Sequence, residues 1–519
     1  LHAQLRLNEP QRLCDGGPTF GMGECAPAQL ASAAAVLRQA LHAGGYGSRT
    51  ARLLLRLHGG SEADAEGDDG DDAAPLVVGI AEGGAGHELC STGLLLRLRA
   101  DPTLRDRLLE DAPQPAGVLV LLFLLGAAVR RVAVERALGA ATLASLLEHG
   151  LLLHAGEDGL LPGEDGPASS TELLASPVQV YPVPTRRGAA AGAADVGGAE
   201  ATTEAGAGDC GELGAGGGGG AGDAEDGGAY GDEELLEAGL NSEGELLVAT
   251  DWARESLVPA KFAVMPIGDD SLNLVHLAPR RRCHRVLDLC TGSGVQALVA
   301  ARCYAEAAVA TDVNPRALRF VNFNAALNGL AARVTTRQGD GYAALTPSPE
   351  PSAPSAPPQC ADDEPFDAIL ANPPFVAVPP PPPGASMHAE WALYADGGPD
   401  GGRVLDAIIA GANTARLRPG GHLAIVSEFP NIRGAHRTLA ALRPGLHLAL
   451  FYDPLHVQTA AEYAADRADE RGWPWADAAA HLSSLRAHGL DHMGSGVLFG
   501  VQCRGGAGEA GGGAAATAA

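Results

Sequence analysis

Hydrophobic positions change their spacing along the chain, and each regime predicts a different kind of structure. From about residue 27 to 57, and again from about 95 to 153, apolar residues recur at helical intervals, as in Leu30, Ala34, Leu37 and Leu41 and later Leu143, Leu146 and Leu147. These stretches predict a mainly helical N-terminal domain. The most apolar run within it, Gly117 to Val129 (GVLVLLFLLGAAV), predicts a buried helix, because it is shorter than the roughly twenty residues needed to cross a bilayer. Pro177 to Val183 and Glu245 to Ala249 have strand character and could pair as a hairpin. Helices followed by a hairpin make a winged-helix-like plan, with 132–138 and 142–149 as the closing helices. Such modules dock on nucleic acid or serve as protein-protein platforms.

From Arg285 the pattern becomes strand, Gly-rich turn and helix, repeated. Arg285 to Leu289 (RVLDL) predicts a short buried strand, Thr291-Gly292-Ser293-Gly294 a tight turn, and Val295 to Tyr304 an apolar helix. This is the opening βα unit of a nucleotide-binding sheet. The next strand, Ala307 to Thr311, leads into Asp312, placed to hold ribose hydroxyls at the end of the second strand. Gly339-Asp340 follows a third strand (333–338) and Asn372-Pro373-Pro374-Phe375 a fourth (366–371). A glycine turn alone is weak evidence, since any tight turn favours glycine. Four such turns in order, each at the carboxyl end of a strand, are strong evidence, because open α/β sheets bind their ligands there.

The Asn-Pro-Pro-Phe turn is the most specific element. An amide or exocyclic amine is a poor nucleophile because its lone pair is delocalised. The Asn372 side-chain oxygen and the Pro373 carbonyl could each accept a hydrogen bond from such an NH2 group, aiming the lone pair and stabilising charge that develops on nitrogen. The prolines fix the backbone, and Phe375 offers a face on which a planar group can stack.

Composition modifies this picture in three ways. The net charge of -27 would argue against a nucleic-acid partner, but seven acidic residues fall in 62–72 and twelve in 195–237, and without those nineteen the remainder carries only -8. The nine cysteines are scattered and never spaced C-x-x-C, and no histidine arrangement suits zinc, so the chain predicts a reducing intracellular compartment, cytoplasm or organelle, with no metal and no membrane span. Its start at Leu1 leaves targeting open. The organisation read from these patterns is an N-terminal domain over 1–186 with an acidic loop at 59–75, a Gly/Ala/acidic linker over 187–240, a strand over 241–261 completing the first domain, a second domain over 262–505, and a tail over 506–519.

The run Leu287 to Gly294 (LDLCTGSG), Asp312, Gly339-Asp340 and Ile369 to Phe375 (ILANPPF) resemble the motifs of the class I methyltransferases that modify glutamine N5, adenine N6 or guanine N2, the HemK-like group. The resemblance implies a Rossmann-like seven-stranded α/β sheet and S-adenosylmethionine as cofactor. It implies cofactor contacts from Asp288, Cys290, Thr291, Gly292, Gly294, Asp312, Asn314, Asp340, Gly341 and Asn372, with Asn372, Pro373 and Phe375 at the reacting nitrogen. Cys290 occupies a position where the motif commonly has glycine. ALYADGGPDGGRVLDAII and LRPGGHLAIVSE, within 390–428, are similar to release-factor glutamine methyltransferases, whereas Met265 to Ser271 stands where that subfamily has Arg-Pro-Glu-Thr-Glu. A protein glutamine and an RNA base both remain as acceptors, and a non-catalytic cofactor-binding or RNA-binding adaptor is the alternative to an enzyme. Three surface features have no assigned role in this scheme. Pro379–Pro383 borders a substrate entrance or is an incidental loop, Trp473-Pro474-Trp475 lines the cleft or covers the sheet, and Arg280-Arg281-Arg282 reaches phosphates or is a solvated charge run.

Overall fold

The centre of the molecule is strand β6, Cys283–Leu289, whose residues from Arg285 onward are buried on both faces. A strand covered on both sides belongs in the middle of a parallel sheet, where alternation gives way to a continuous apolar run. The computed structural model describes residues 27–47, 51, 114–155, 172–185, 245–252, 260–345, 364–379, 391–471 and 474–503. Around β6 it places β7 (Ala305–Asp312) and β8 (Val334–Gln338) on one side, with β9 (Phe366–Ala371), β10 (Leu417–Pro430), β13 (His492–Gln502) and β11 (Leu446–Tyr452) on the other. The order is β11-β13-β10-β9-β6-β7-β8, a seven-strand path with the short β12 (Gln458–Thr459) added on β13. The strands from β10 to β8 run parallel, while β13 is antiparallel to both of its neighbours. The Rossmann-like α/β sheet expected from the sequence is therefore present.

Helices cover both faces. Helix α5 (Asp269–Leu277) precedes β6, α6 (Val295–Cys303) and α7 (Pro315–Leu327) follow β6 and β7, and α8 (Arg403–Gly411) and α9 (Ile432–Leu442) flank β10. The single connection from β12 to β13 carries both α10 (Ala460–Arg471) and α11 (Trp475–Ala487). The last strand begins with a polar, glycine-rich stretch in which Met493 to Gly496 pairs with the far end of β10 from Ser427 to Pro430 and His492 lies opposite Thr459 of β12.

The N-terminal part differs from expectation in its strands. Gly117–Val129 is buried but is not one helix. Helix α2 (Gln114–Leu119) passes into a π turn, Val120–Leu124, and the chain leaves it at Gly126, whose φ of +67° suits a residue without Cβ. It then forms β1 (Val129–Arg130), α3 (Arg131–Leu138), α4 (Ala140–Glu148), β2 (Leu153–His154) and β3 (Leu173–Ala175), with sheet order β1-β3-β2. The winged-helix-like plan thus draws its strands from two- and three-residue segments rather than from 177–183 and 245–249. Those two do pair, as β4 (Gln179–Pro184) and β5 (Glu245–Thr250) with Val180 opposite Ala249, but as a separate hairpin.

That hairpin is bound to the large sheet by an unusual pair of amides. Asn324 and Asn328 lie one turn apart on α7, and each behaves as a strand partner to β5. Asn324 accepts from Ala249 N–H at 2.8 Å and donates to Ala249 C=O at 2.8 Å, while Asn328 does the same for Leu247 at 2.9 and 2.8 Å. The spacing works because four helical residues rise about 6 Å, close to two residues of strand. The free edge of β5 is thereby satisfied, which removes an exposed pairing edge. Helix α1 (Pro27–Ala43) packs beside the same helix, with Arg38 donating to the carbonyls of Ala326 and Leu327 at the end of α7. Leu37, Phe123, Tyr181, Val248, Phe320 and Val321 belong to one continuous apolar core, so the helical segment and the hairpin share the interior of the sheet domain.

The acidic loop, the linker, the tail, the Pro-rich insert at 346–358 and residues 380–383 of the proline run lie outside the described residues. No helix among the described residues is long and apolar enough to cross a membrane.

Candidate active site

Register brings the four turns together. Leu289 is level with Thr311 on one side and Ala371 on the other, and Asp312 is level with Gln338. The turns after β9, β6, β7 and β8 therefore stand side by side at the carboxyl edge, at the point where chain order reverses across β6.

The turn after β6 is built on left-handed backbone. Cys290, Gly292 and Gly294 have φ of 56°, 54° and 85°. A Cβ on Gly294 would lie 2.9 Å from Val321 on α7, so glycine there lets α6 and α7 approach; a Cβ on Gly292 would meet nothing within 4 Å, so the space in front of it is open. Cys290 holds a conformation that glycine adopts freely and a cysteine does not. Asp288 is buried and accepts from Thr291 Oγ1 at 2.5 Å and from Ala297 N–H at 3.1 Å, in the first turn of α6, while its Oδ1 has no protein partner. Burial pushes this carboxyl up to about 7 against the opposing pull of Thr291 and Ala297, with a smaller upward push from the Asp312 charge.

Asp312 ends β7 and ties two turns together. One oxygen accepts from Gly292 N–H at 3.0 Å and the other from Asn314 N–H at 2.9 Å. Burial raises its affinity for a proton, and these backbone N–H groups oppose the rise. Asn314, expected among the cofactor contacts, has its side chain occupied elsewhere. It caps α7 by accepting from Arg316 N–H at 3.0 Å and donates to the Phe262 carbonyl at 2.9 Å. Its role is to fix the turn that presents Asp312. Asp340 is exposed after β8, and Gly341 (φ 51°) faces open space. Burial, then the charges of Asp312, Asp288 and Asp340, push the Cys290 thiol well above its ordinary range, which places three carboxylates around one point.

Asn372 begins the fourth turn. Its Nδ2 donates to Asp270 Oδ2 at 3.0 Å and to Ser271 Oγ at 3.3 Å, and its Oδ1 is buried without a partner. An orphaned buried acceptor costs stability unless a ligand supplies the donor. Pro373 is buried, and Phe375 is partly buried beside Val376, Val378 and Trp391. The backbone beyond it is clamped by the Gly397–Gly401 loop. Val376 N–H donates to Ala395 C=O at 2.9 Å, Gly397 N–H to Val376 C=O at 3.0 Å, and a Cβ on Gly401 would fall 2.4 Å from the Phe375 carbonyl oxygen. Ala377 is pinned at both ends, its N–H to Tyr463 Oη at 3.1 Å and its carbonyl to His481 Nε2 at 3.1 Å.

Sequence reasoning noted Met265 to Ser271 only as a departure from a subfamily motif and gave no role to Asp270, Ser271 or Tyr463. Asp269-Asp270-Ser271 reads as an ordinary acidic first turn of α5, and only contact across 101 residues shows otherwise. Among the unassigned surface features, Arg280 donates to the carbonyls of Thr185 and Val275 and so serves packing. Trp475 is 81% exposed and covers nothing; Trp473 lies outside the described residues.

The comparisons with known proteins agree with this geometry. Residues 271–372 match the family model described as Ribosomal protein L11 methyltransferase (PrmA). That segment runs from the first turn of α5 to Asn372, the first residue of the fourth turn. The chain's relatives include the release factor glutamine methyltransferase of Moorella thermoacetica, 39% identical over 146 residues, covering 27% of this chain and 45% of that protein. A second is the ribosomal protein uL3 glutamine methyltransferase of Bradyrhizobium diazoefficiens, 37% identical over 146 residues, covering 27% of this chain and 39% of that one. The matched segment thus spans less than half of either relative. Among solved structures, the ribosomal protein L11 methylase of Lactobacillus delbrueckii subsp. bulgaricus aligns over 44% of this chain and 75% of its own, with 15% identity and a TM-score of 0.24, a similarity too low to bear on the methyltransferase site.

Proposed function

We propose that the protein uses S-adenosylmethionine to methylate the side-chain amide nitrogen of a glutamine in a protein substrate. One observation carries the chemistry: a buried, unpartnered Asn372 Oδ1 beside the Pro373 turn. The two relatives named for protein glutamine methylation support the acceptor class. The residues present fit the cofactor, which is rich in ammonium and hydroxyl donors. Asp288 Oδ1 lacks a partner, Asp312 is a carboxylate held by backbone, and Gly292 and Gly341 leave room in front of them.

When bound, S-adenosylmethionine supplies an electrophilic methyl group. Asp288 and the turn from Cys290 to Gly294 would hold its methionine part and Asp312 its ribose, with Asp340 beside the adenine. Asn372 Oδ1 and the Pro373 carbonyl would each take one hydrogen bond from the glutamine NH2, turning its lone pair out of conjugation and towards the methyl carbon. The same two acceptors would stabilise the positive charge that develops on the acceptor nitrogen as it takes the methyl group. One nitrogen proton is then lost to water, so no base is needed before attack. Phe375 would stack on the planar amide.

The test is incubation with methyl-labelled S-adenosylmethionine and purified release factor or ribosomal protein uL3, followed by protease or RNase treatment in extract. Label found on a glutamine side chain by mass spectrometry is the expected result. Label in extract that disappears with RNase would overturn the protein assignment in favour of an RNA base.

A further inference from the structure

We propose that Asp270, assisted by Ser271, is a positioning residue that decides which end of the Asn372 amide meets the acceptor nitrogen. The proposal rests on the reading of Asn372 as the acceptor-orienting group. An asparagine side chain has two ends of nearly equal shape and opposite polarity, and rotation by half a turn would offer the acceptor a donor instead of an acceptor. Something must break that symmetry. Burial raises the affinity of Asp270 for a proton, and the hydrogen bonds from Asn372 and Ser271 oppose the rise; as a carboxylate Asp270 has no proton to give, so the end of Asn372 that faces its Oδ2 at 3.0 Å is NH2. The oxygen is then forced to the opposite side, where it is buried without a partner.

Asp270 is itself held for this purpose. Its second oxygen accepts from Ser271 N–H at 2.7 Å, so each oxygen already has a donor within the protein. The Ser271 carbonyl accepts from Gln296 Nε2 at 2.8 Å, and both residues are buried. Gln296 is the second residue of α6, directly after the glycine turn. The start of α5 thereby links the turn that would hold the cofactor to the amide that would hold the acceptor, through the path Gln296, Ser271, Asp270, Asn372. A stiff connection of that kind fixes the relative placement of the two reacting groups, to which methyl transfer is sensitive at the ångström level.

The test uses the full chain and the isosteric variant Asp270→Asn, which keeps volume but can present either an oxygen or an NH2 to Asn372. With purified release factor as acceptor, kcat should fall about 10- to 100-fold, while S-adenosylhomocysteine affinity by calorimetry stays within about twofold. In the Asn372→Ala background the same substitution should cause no further loss, since the residue it positions is gone. Ser271→Ala should give a smaller kcat loss of the same kind. A second readout needs no substrate. In protein labelled with 15N-asparagine, the Asn372 side-chain NH2 signal, assigned by its absence in Asn372→Ala, should be slow to exchange and should shift and broaden in Asp270→Asn or Ser271→Ala. Additive losses, an equal loss of cofactor affinity, or an Asn372 NH2 signal that exchanges freely in the unmodified protein would overturn the proposal. If neither release factor nor ribosomal protein uL3 is methylated, the substrate reading fails and the NMR result still decides the role of Asp270.

Discussion

The two halves of the candidate active site are specified by different means. On the cofactor side, the turns after β6 and β7 hold themselves. Asp312 takes the N–H of Asn314 two residues on, Asp288 takes Thr291 three residues on, and Gly292 and Gly294 supply the left-handed backbone. On the acceptor side, the turn after β9 is rigid in backbone through its prolines, but its reactive amide is oriented by residues about a hundred positions earlier. Local backbone chemistry can be read from a motif; orientation by a distant carboxylate cannot.

The largest expected effect tests how far the cofactor side stands alone. Arg316, which follows the Asn314 cap, makes a buried two-point ion pair with Asp251 at 2.6 and 3.0 Å, and Asp251 also accepts from Val264 N–H at 2.8 Å. Asp251→Ala leaves a buried guanidinium unpaired and should lower unfolding free energy by about 3–5 kcal/mol, measured by denaturant titration. The folded fraction should still bind S-adenosylhomocysteine within a few-fold, because the 312–314 turn keeps its own hydrogen bonds. A large loss of affinity with stability intact would break the contrast between the two sides.

Next in size is Asn372→Ala on the acceptor side. Removal of one preorganised hydrogen-bonding group from a transition state costs about 10²–10³ in kcat. Steady-state kinetics and calorimetry on the same preparation should show that loss with cofactor affinity nearly unchanged. Comparable loss of both would place Asn372 on the cofactor side.

A smaller effect concerns pH. Asp288 is raised to about 7 by burial, above its value in an unfolded chain. A raised folded pKa contributes stability that is fully present below the unfolded value and is lost as pH rises, here from about 4 through about 7. Asp288→Asn should therefore flatten the fall in melting temperature between pH 5 and pH 8 in the cofactor-free protein. An unaltered pH profile would show that another group is responsible.

Legibility followed the same division. The strands β6, β7 and β9 were readable because each carries a buried apolar run that ends in a turn, whereas β8 (VTTRQ) has only Val334 buried and was readable from the Gly339-Asp340 turn that follows it. Repeated βα units account for the parallel strands β6 to β10 but not for β13, which runs antiparallel between β10 and β11. The wing strands β2 and β3 are two and three residues long, too short for any period to register. Asn324 and Asn328 look like the polar face of α7, although Asn324 is fully buried against β5. Nothing in residues 245–250 alone shows that their hydrogen bonds go to side chains of a helix, so the hairpin read as part of the first domain. At Asn314 the motif does not show that the side chain also caps α7 and bonds the Phe262 carbonyl.

Cys290 gives the smallest and most local test. Its φ of 56° places a side chain where L-residues are strained by about 1–2 kcal/mol. Replacement by glycine removes that strain but frees the unfolded chain by about 0.4–1 kcal/mol, and it deletes a partly buried thiol next to three carboxylates. The first and second effects oppose each other and the first is larger, so Cys290→Gly should raise stability by about 0.5–1 kcal/mol. Cysteine leaves the space in front of Gly292 clear, so S-adenosylhomocysteine affinity should change by less than about threefold, within about 0.7 kcal/mol. Cys290→Val should do the opposite, since a branched Cβ tolerates the left-handed region least. It should lose stability and affinity together while the Asn372 NH2 signal stays in place. If Cys290→Gly were destabilising instead, the thiol would be packing rather than straining the turn, and the cofactor side would depend on side chains as the acceptor side does.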